Sequence, residues 1–165
     1  MKKIAFPPLV SDQSTILILG TMPGMESLRL QQYYGHPQNH FWKIMFTLFN
    51  EPFSTDYEVR IALLMNYGIA LWDVLHSCEG EGSADSAIVN ENANDFEAFF
   101  KEYPHIRKVF FASLKAEAFY KKHVGFRSDK VYGVLPSPSP ANARMSLASK
   151  IERWRGAILE KKDNL

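Results

Sequence analysis

The chain has 165 residues, 46% hydrophobic and 22% charged, with a formal net charge of +1. That length and balance fit one soluble domain spanning residues 1–165 and exclude a disordered or fibrous chain. The single cysteine, Cys78, excludes an internal disulfide and an iron–sulfur cluster. No run approaches the roughly 18 apolar residues of a membrane span, and the start MKKIAFPPLVSDQ does not read as a signal peptide. The expected location is therefore cytoplasmic.

The small net charge hides an asymmetry. Residues 1–100 carry 5 basic and 12 acidic side chains, and residues 101–165 carry 14 basic and 6 acidic. A basic C-terminal third fits a surface for a polyanion, and also fits ordinary solvated helix faces.

Ser14–Gly20 (STILILG) is short, β-branched and stopped by Gly-Thr-Met-Pro-Gly, which predicts a buried strand. Asn39–Phe49 predicts a helix, because Phe41, Ile44, Met45, Leu48 and Phe49 recur at three-to-four spacing. Asp56–Tyr67 reads as a second helix, Gly68–Asp73 as a strand, and Ser83–Ala93 as a polar, turn-rich stretch. A helix over Ala93–Tyr103, a strand over Lys108–Ala112 and a helix over Leu114–Val124 follow. Lys130–Leu135 is the last expected strand, and Ser146–Lys162 a closing basic helix. Short apolar strands alternating with helices predict an α/β fold: a three-layer αβα sandwich around a mainly parallel, four-stranded sheet. Sites in such sheets form beyond the C-terminal strand ends.

Three segments at that edge carry chemistry. Gly20–Gly24 (GTMPG) makes a tight turn whose N–H groups can face a ligand oxygen, or simply a structural turn; its spacing is not that of a phosphate loop. Tyr33–Trp42 (YYGHPQNHFW) places two tyrosines before a Gly-His-Pro turn and Asn39, which also suits a helix N-cap. Leu135–Ala143 (LPSPSPANA) has three alternating prolines, which make a stiff, extended loop before a basic helix bearing Arg144, Lys150, Arg153 and Arg155. His36 and His40 are spaced i,i+4 but sit in no HExxH pattern, so no metal site is expected, and no cofactor is implied.

Together these segments resemble the uracil-DNA glycosylase superfamily. GTMPG resembles its Gly-x-(Asn/Asp)-Pro-Gly first motif, HPQNHFW the His-Pro-x-Asn-x-Phe-Trp run of the mismatch-specific branch, and PSPSP the Pro-Ser second motif. With GTMPGMESL, ALWDVLHSCE and GSADSAI added, the chain is most similar to the hypoxanthine-DNA (deoxyinosine) glycosylase group. The resemblance implies a monofunctional DNA glycosylase in base excision repair, acting on double-stranded DNA that holds a damaged or deaminated base. Hypoxanthine is the favoured base, and uracil or a mismatched pyrimidine the alternative. A non-catalytic damaged-DNA binder on the same fold is another alternative. No membrane or obligate protein partner is implied.

The resemblance also implies site residues. Met22 stands where most of the superfamily has the Asn or Asp that positions water, and a thioether cannot do that. The polar role passes to Asn39, either holding water or donating to the leaving base. Gly20, Thr21, Met22, Pro23, Gly24, Tyr34 and Ala112 would line the base pocket, with Tyr34 stacking on the flipped base. Ser137, Pro138, Ser139, Pro140 and Arg144 would enter or contact DNA. Ala112 replaces an Asn that elsewhere reads the base, Gly80 stands where an Arg is usual, and Leu135 replaces the His or Asn that opens the second motif outside the hypoxanthine group. Asp73, at a strand end next to Trp72, either caps a loop or sits near the pocket, and the structural role is the expected one.

Overall fold

A computed structural model describes residues 2–160. Strands β1 (Lys2–Ile4) and β2 (Ile16–Gly20) are followed by helices α1 (Met25–Leu30), α2 (Phe41–Leu48) and α3 (Tyr57–Asn66). Strands β3 (Ile69–Asp73), β4 (Leu75–Glu79) and β5 (Val89–Ala93) come next, then α4 (Phe96–Glu102), β6 (Lys108–Phe111), α5 (Leu114–His123), β7 (Val131–Val134) and α6 (Leu147–Ile158). The main sheet has four strands in the order β3-β2-β6-β7, and every pairing in it is parallel.

The sheet is covered on both faces, which explains why its strands read as unbroken apolar runs. Ile18, Leu71 and Phe110 face a core shared with Phe41, Trp42, Leu64 and Trp154 of α2, α3 and α6. Leu17, Leu19, Val109 and Phe111 face Phe96, Phe99, Phe119 and Tyr120 of α4 and α5. Leu17, Ile18 and Leu19 are fully buried, each worth about 2 kcal/mol in apolar transfer. Side-chain caps set several helix starts: Asp56, Asp95, Ser113 and Ser146 accept N–H groups of Glu58, Ala98, Ala116 and Ser149.

Three features depart from the sequence expectations. A second, antiparallel sheet of order β1-β4-β5 forms, with Lys2 opposite Glu79 and Ile4 opposite Ser77. Its β5 lies in a stretch expected to be turn, and it takes Ala93 from the expected start of α4. The short α1 was not foreseen either. The closing helix ends at Ile158; residues 161–162 of its expected span lie outside the described residues. Among the described residues no helix is long and apolar enough to cross a membrane.

The register builds a row at the C-terminal edge of the main sheet. Gly20 pairs with Asp73. Ala112 and Leu135 extend β6 and β7: Ala112 N–H donates to Leu19 O at 2.9 Å and Leu135 N–H to Phe111 O at 2.7 Å. Two residues beyond Leu71, Ile18, Phe110 and Gly133, the row Asp73–Gly20–Ala112–Leu135 faces the α2/α6 side.

Candidate active site

A cleft of about 1070 Å³ opens above that row. Gly20–Gly24, Tyr34, Asn39, Ala112 and Ser137–Pro140 all line it. Arg144 is exposed and does not line it, whereas Arg153 of α6 does. Met22 contributes a half-buried thioether that packs against the α4/α5 core.

The second segment is pinned from several directions. The Trp42 indole donates to Tyr33 O at 3.0 Å, the Tyr33 hydroxyl to Pro7 O at 2.8 Å, and Gly35 N–H to Ser27 Oγ at 2.9 Å. Tyr33 is thereby buried as a structural residue. Tyr34 takes φ +53°, the left-handed region, at a cost of about 1 kcal/mol or more for a non-glycine residue. Its ring stacks on Phe41 with centroids 4.1 Å apart and planes 15° from parallel. His36 Nδ1 accepts the Gln38 N–H at 3.1 Å, so this imidazole shapes the turn.

Asn39 precedes α2 by two residues, because the helix begins at Phe41 rather than at Asn39. His40 holds the formal cap position and makes no side-chain cap. Instead Asn39 Oδ1 accepts the Phe41 N–H at 2.8 Å, an Asx turn that starts the helix. This bond orients the amide: its oxygen is engaged, and Nδ2 has no partner among the described residues. His40 N–H donates to Pro138 O at 2.9 Å, tying the segment to the polyproline loop.

That loop is braced from within and behind. Ser137 Oγ accepts Ser139 N–H at 3.2 Å, Ser139 Oγ accepts Ala141 N–H at 3.1 Å, and Asn142 Nδ2 donates to Ser137 O at 3.0 Å. The Trp154 indole donates to Pro136 O at 2.9 Å. Lys150 is buried beside His40, with Nζ 3.2 Å from Nδ1. Burial and the charge of Lys150 pull the His40 imidazole below its ordinary pKa, and burial lowers the Lys150 ammonium.

Two carboxyl groups in the cleft were not assigned to it from sequence. Asp85 arrives on the Gly80–Ile88 loop that joins β4 to β5, where Lys3 of β1 holds Gly82 O. Thr21 Oγ1 donates to Asp85 Oδ2 at 3.1 Å and lies 3.3 Å from Ser113 Oγ. Burial raises the Asp85 pKa, against the lowering effect of the Thr21 bond. Asp73 is 5% exposed, lines the cleft, and its buried Oδ2 has no hydrogen-bond partner. Burial, and then the charge of Asp85, push its carboxyl up to about 7. Among the described residues no three His, Cys, Asp or Glu side chains cluster to hold a metal ion.

The loop that delivers Asp85 explains one departure in sequence. Gly80 has φ +141°, and a Cβ there would drive into Ala87 O. An arginine cannot occupy that position without rebuilding the loop. Gly80→Ala is expected to destabilise the protein by about 1–3 kcal/mol, read as a lower midpoint in urea at unchanged slope. An unchanged midpoint would show that the loop does not need this glycine.

The profile of the uracil DNA glycosylase superfamily matches residues 7–160. The chain belongs to that superfamily. It is 36% identical over 161 residues to a protein of Methanosarcina barkeri named hypoxanthine DNA glycosylase, covering 96% of this chain and 99% of that one. A protein of Methanosarcina acetivorans with the same name is 38% identical over 149 residues, 88% of this chain and 92% of the relative. The fold resembles the solution NMR structure of a Methanosarcina acetivorans protein provisionally named a uracil DNA glycosylase, with TM-score 0.81 and 35% identity, covering 96% of this chain and 97% of that one. The parallel four-stranded sheet flanked by helices is thus the fold of this superfamily.

Proposed function

We propose that this chain, a DNA glycosylase of the uracil DNA glycosylase superfamily, hydrolyses the N-glycosidic bond of hypoxanthine flipped out of double-stranded DNA. The observation that carries the reading is convergence. Tyr34, Asn39 and the Pro136–Pro140 loop meet on one cleft, in a chain matched nearly end to end by relatives named for that base. A binder that leaves the base in place has no comparable support, since both relatives are named as enzymes.

The geometry supplies the parts the reaction needs. The target nucleotide must leave the stack, and the braced polyproline loop is a rigid wedge for the space it vacates. Tyr34 offers a ring for stacking, worth about 1–3 kcal/mol per base. As the bond breaks, the base gains negative charge and the sugar positive charge. Asn39 Nδ2, the half of its amide left without a partner, donates to the departing base; the carboxylate of Asp85 favours the cationic sugar. Among the described residues no lysine lines the cleft, which supports attack by water rather than by an amine and hence a monofunctional enzyme.

Base release from duplexes holding one inosine, one uracil, one xanthine or no lesion tests the reading. Abasic sites are expected from the inosine duplex, and fastest there. Release from uracil alone would move the substrate, and no release from any duplex would sink the enzyme reading.

A further inference from the structure

The row of four residues at the strand ends beneath the cleft has one polar side chain among them. Of the row Asp73–Gly20–Ala112–Leu135, Gly20, Ala112 and Leu135 offer a ligand no side-chain hydrogen bond, and Ala112 stands where the superfamily resemblance calls for an Asn that reads the base. Asp73 points to the same face as those three. A Cβ placed on Gly20 would lie 2.7 Å from Asp73 Oδ1 and 3.3 Å from Tyr34 Oη. The bare glycine therefore lets the Asp73 carboxyl lie against the strand at the place where any side chain would collide with it. Asp73 Oδ2 is buried without a partner, an arrangement that costs stability and calls for an explanation.

We propose that Asp73 is the specificity-determining residue of the pocket, accepting the lactam N1–H of the flipped base. This rests on the hypoxanthine reading above. Deamination changes one edge of adenine: N1 goes from a bare acceptor to an N–H donor, and the 6-amino group becomes a carbonyl. A buried carboxylate accepts the new N–H and meets only a lone pair on adenine N1. Uracil, xanthine, guanine and thymine carry the same N–H beside a carbonyl, so the contact separates hypoxanthine from adenine, and the rest of the pocket must separate it from the other lactam bases. Burial and then the charge of Asp85 raise the pKa of the carboxyl, and an N–H donor at Oδ2 draws it back toward the charged form. Gly20 gives the carboxyl its room, and Ala112 presents no side-chain group that competes for the base edge.

The test uses single-turnover base release from duplexes holding one 2′-deoxyinosine or one 1-methyl-2′-deoxyinosine, in which a methyl group replaces the N1 hydrogen. The wild type is expected to release the methylated base at least about 100-fold more slowly. Asp73→Ala is expected to slow inosine release by roughly 30–100-fold and to treat the two bases within a few-fold, because the missing carboxyl leaves both the hydrogen bond unmade and the space unfilled. Asp73→Asn, which keeps an acceptor, is expected to stay within about tenfold of wild type on inosine and to keep the discrimination. A wild type that releases both bases equally, or an Asp73→Ala variant that keeps the full preference for inosine, overturns the assignment while the glycosylase reading stands. A wild type inactive on inosine overturns both. Should Asp73→Ala show no melting transition, the wild-type and Asp73→Asn arms decide.

Discussion

Asn39→Asp should reduce base release from inosine DNA by about 1000-fold while leaving the protein as stable as wild type. Asn39 Oδ1 accepts the Phe41 N–H at 2.8 Å, and an aspartate oxygen makes the same turn. What the substitution removes is the Nδ2 donor, and it adds a negative charge where the leaving base becomes negative. Removing one preorganised donor to a developing anion costs a factor of about 100 to 1000, and the added charge deepens the loss. Asn39→Ala should lose activity by about 100-fold or more and also lose roughly 1 kcal/mol of stability, because the start of α2 loses its acceptor. The pair separates two roles. If Asn39 instead held the attacking water by its oxygen, aspartate would serve as well or better. An Asn39→Asp rate within tenfold of wild type would assign it to the water. Single-turnover rates and thermal melts of both variants supply the comparison.

The second large effect is on stability and concerns Asp73. Its carboxyl is pushed up to about 7 from an ordinary 3.8 by burial and then by Asp85. Between those two values the folded protein holds a proton that the unfolded chain has released. The contribution of Asp73 to stability therefore falls as pH rises from about 4 to about 7, and stays at the lower level above that. Three pKa units correspond to about 4 kcal/mol at most. Asp73→Asn carries no such charge, so its advantage over wild type should be near zero at pH 4 and grow to several degrees in Tm by pH 8. An equal difference at both pH values would mean that Asp73 stays ionised and well partnered in the fold. Stability given up at a buried, unpartnered carboxyl would accord with its proposed use in reading the base.

Much of the fold was legible because the dominant signals are local. β2 is buried on both faces, so Ile16–Leu19 reads as an unbroken apolar run. The Gly/Pro stop after it marks the sheet edge, and α2 shows its buried stripe in Phe41, Ile44, Met45 and Leu48. The small sheet was not legible. β1 has three residues, and β5, Val-Asn-Glu-Asn-Ala, is half-exposed and polar. Each is a strand only because β4 lies between them, and pairing with a distant segment leaves no periodicity in the segment itself.

The candidate site divides in the same way. Tyr34, Asn39 and the three alternating prolines could be picked out one segment at a time, because turn chemistry and a motif each lie within a few consecutive residues. The division of labour within the Asn39 amide became visible only where α2 began, two residues later than expected. Asp73 looked like the polar end of a strand. Its place beside Gly20 follows from the parallel register of β2 and β3, and its buried Oδ2 is left without a hydrogen-bond partner. Asp85 sits in a loop hung between β4 and β5 and reaches Thr21 across 64 positions. Local sequence thus carried the strands, the turns and the motif residues, since their causes are short-range. Which carboxyls entered the cleft, and which of them stayed without a partner, depended on strand register and loop closure between distant segments.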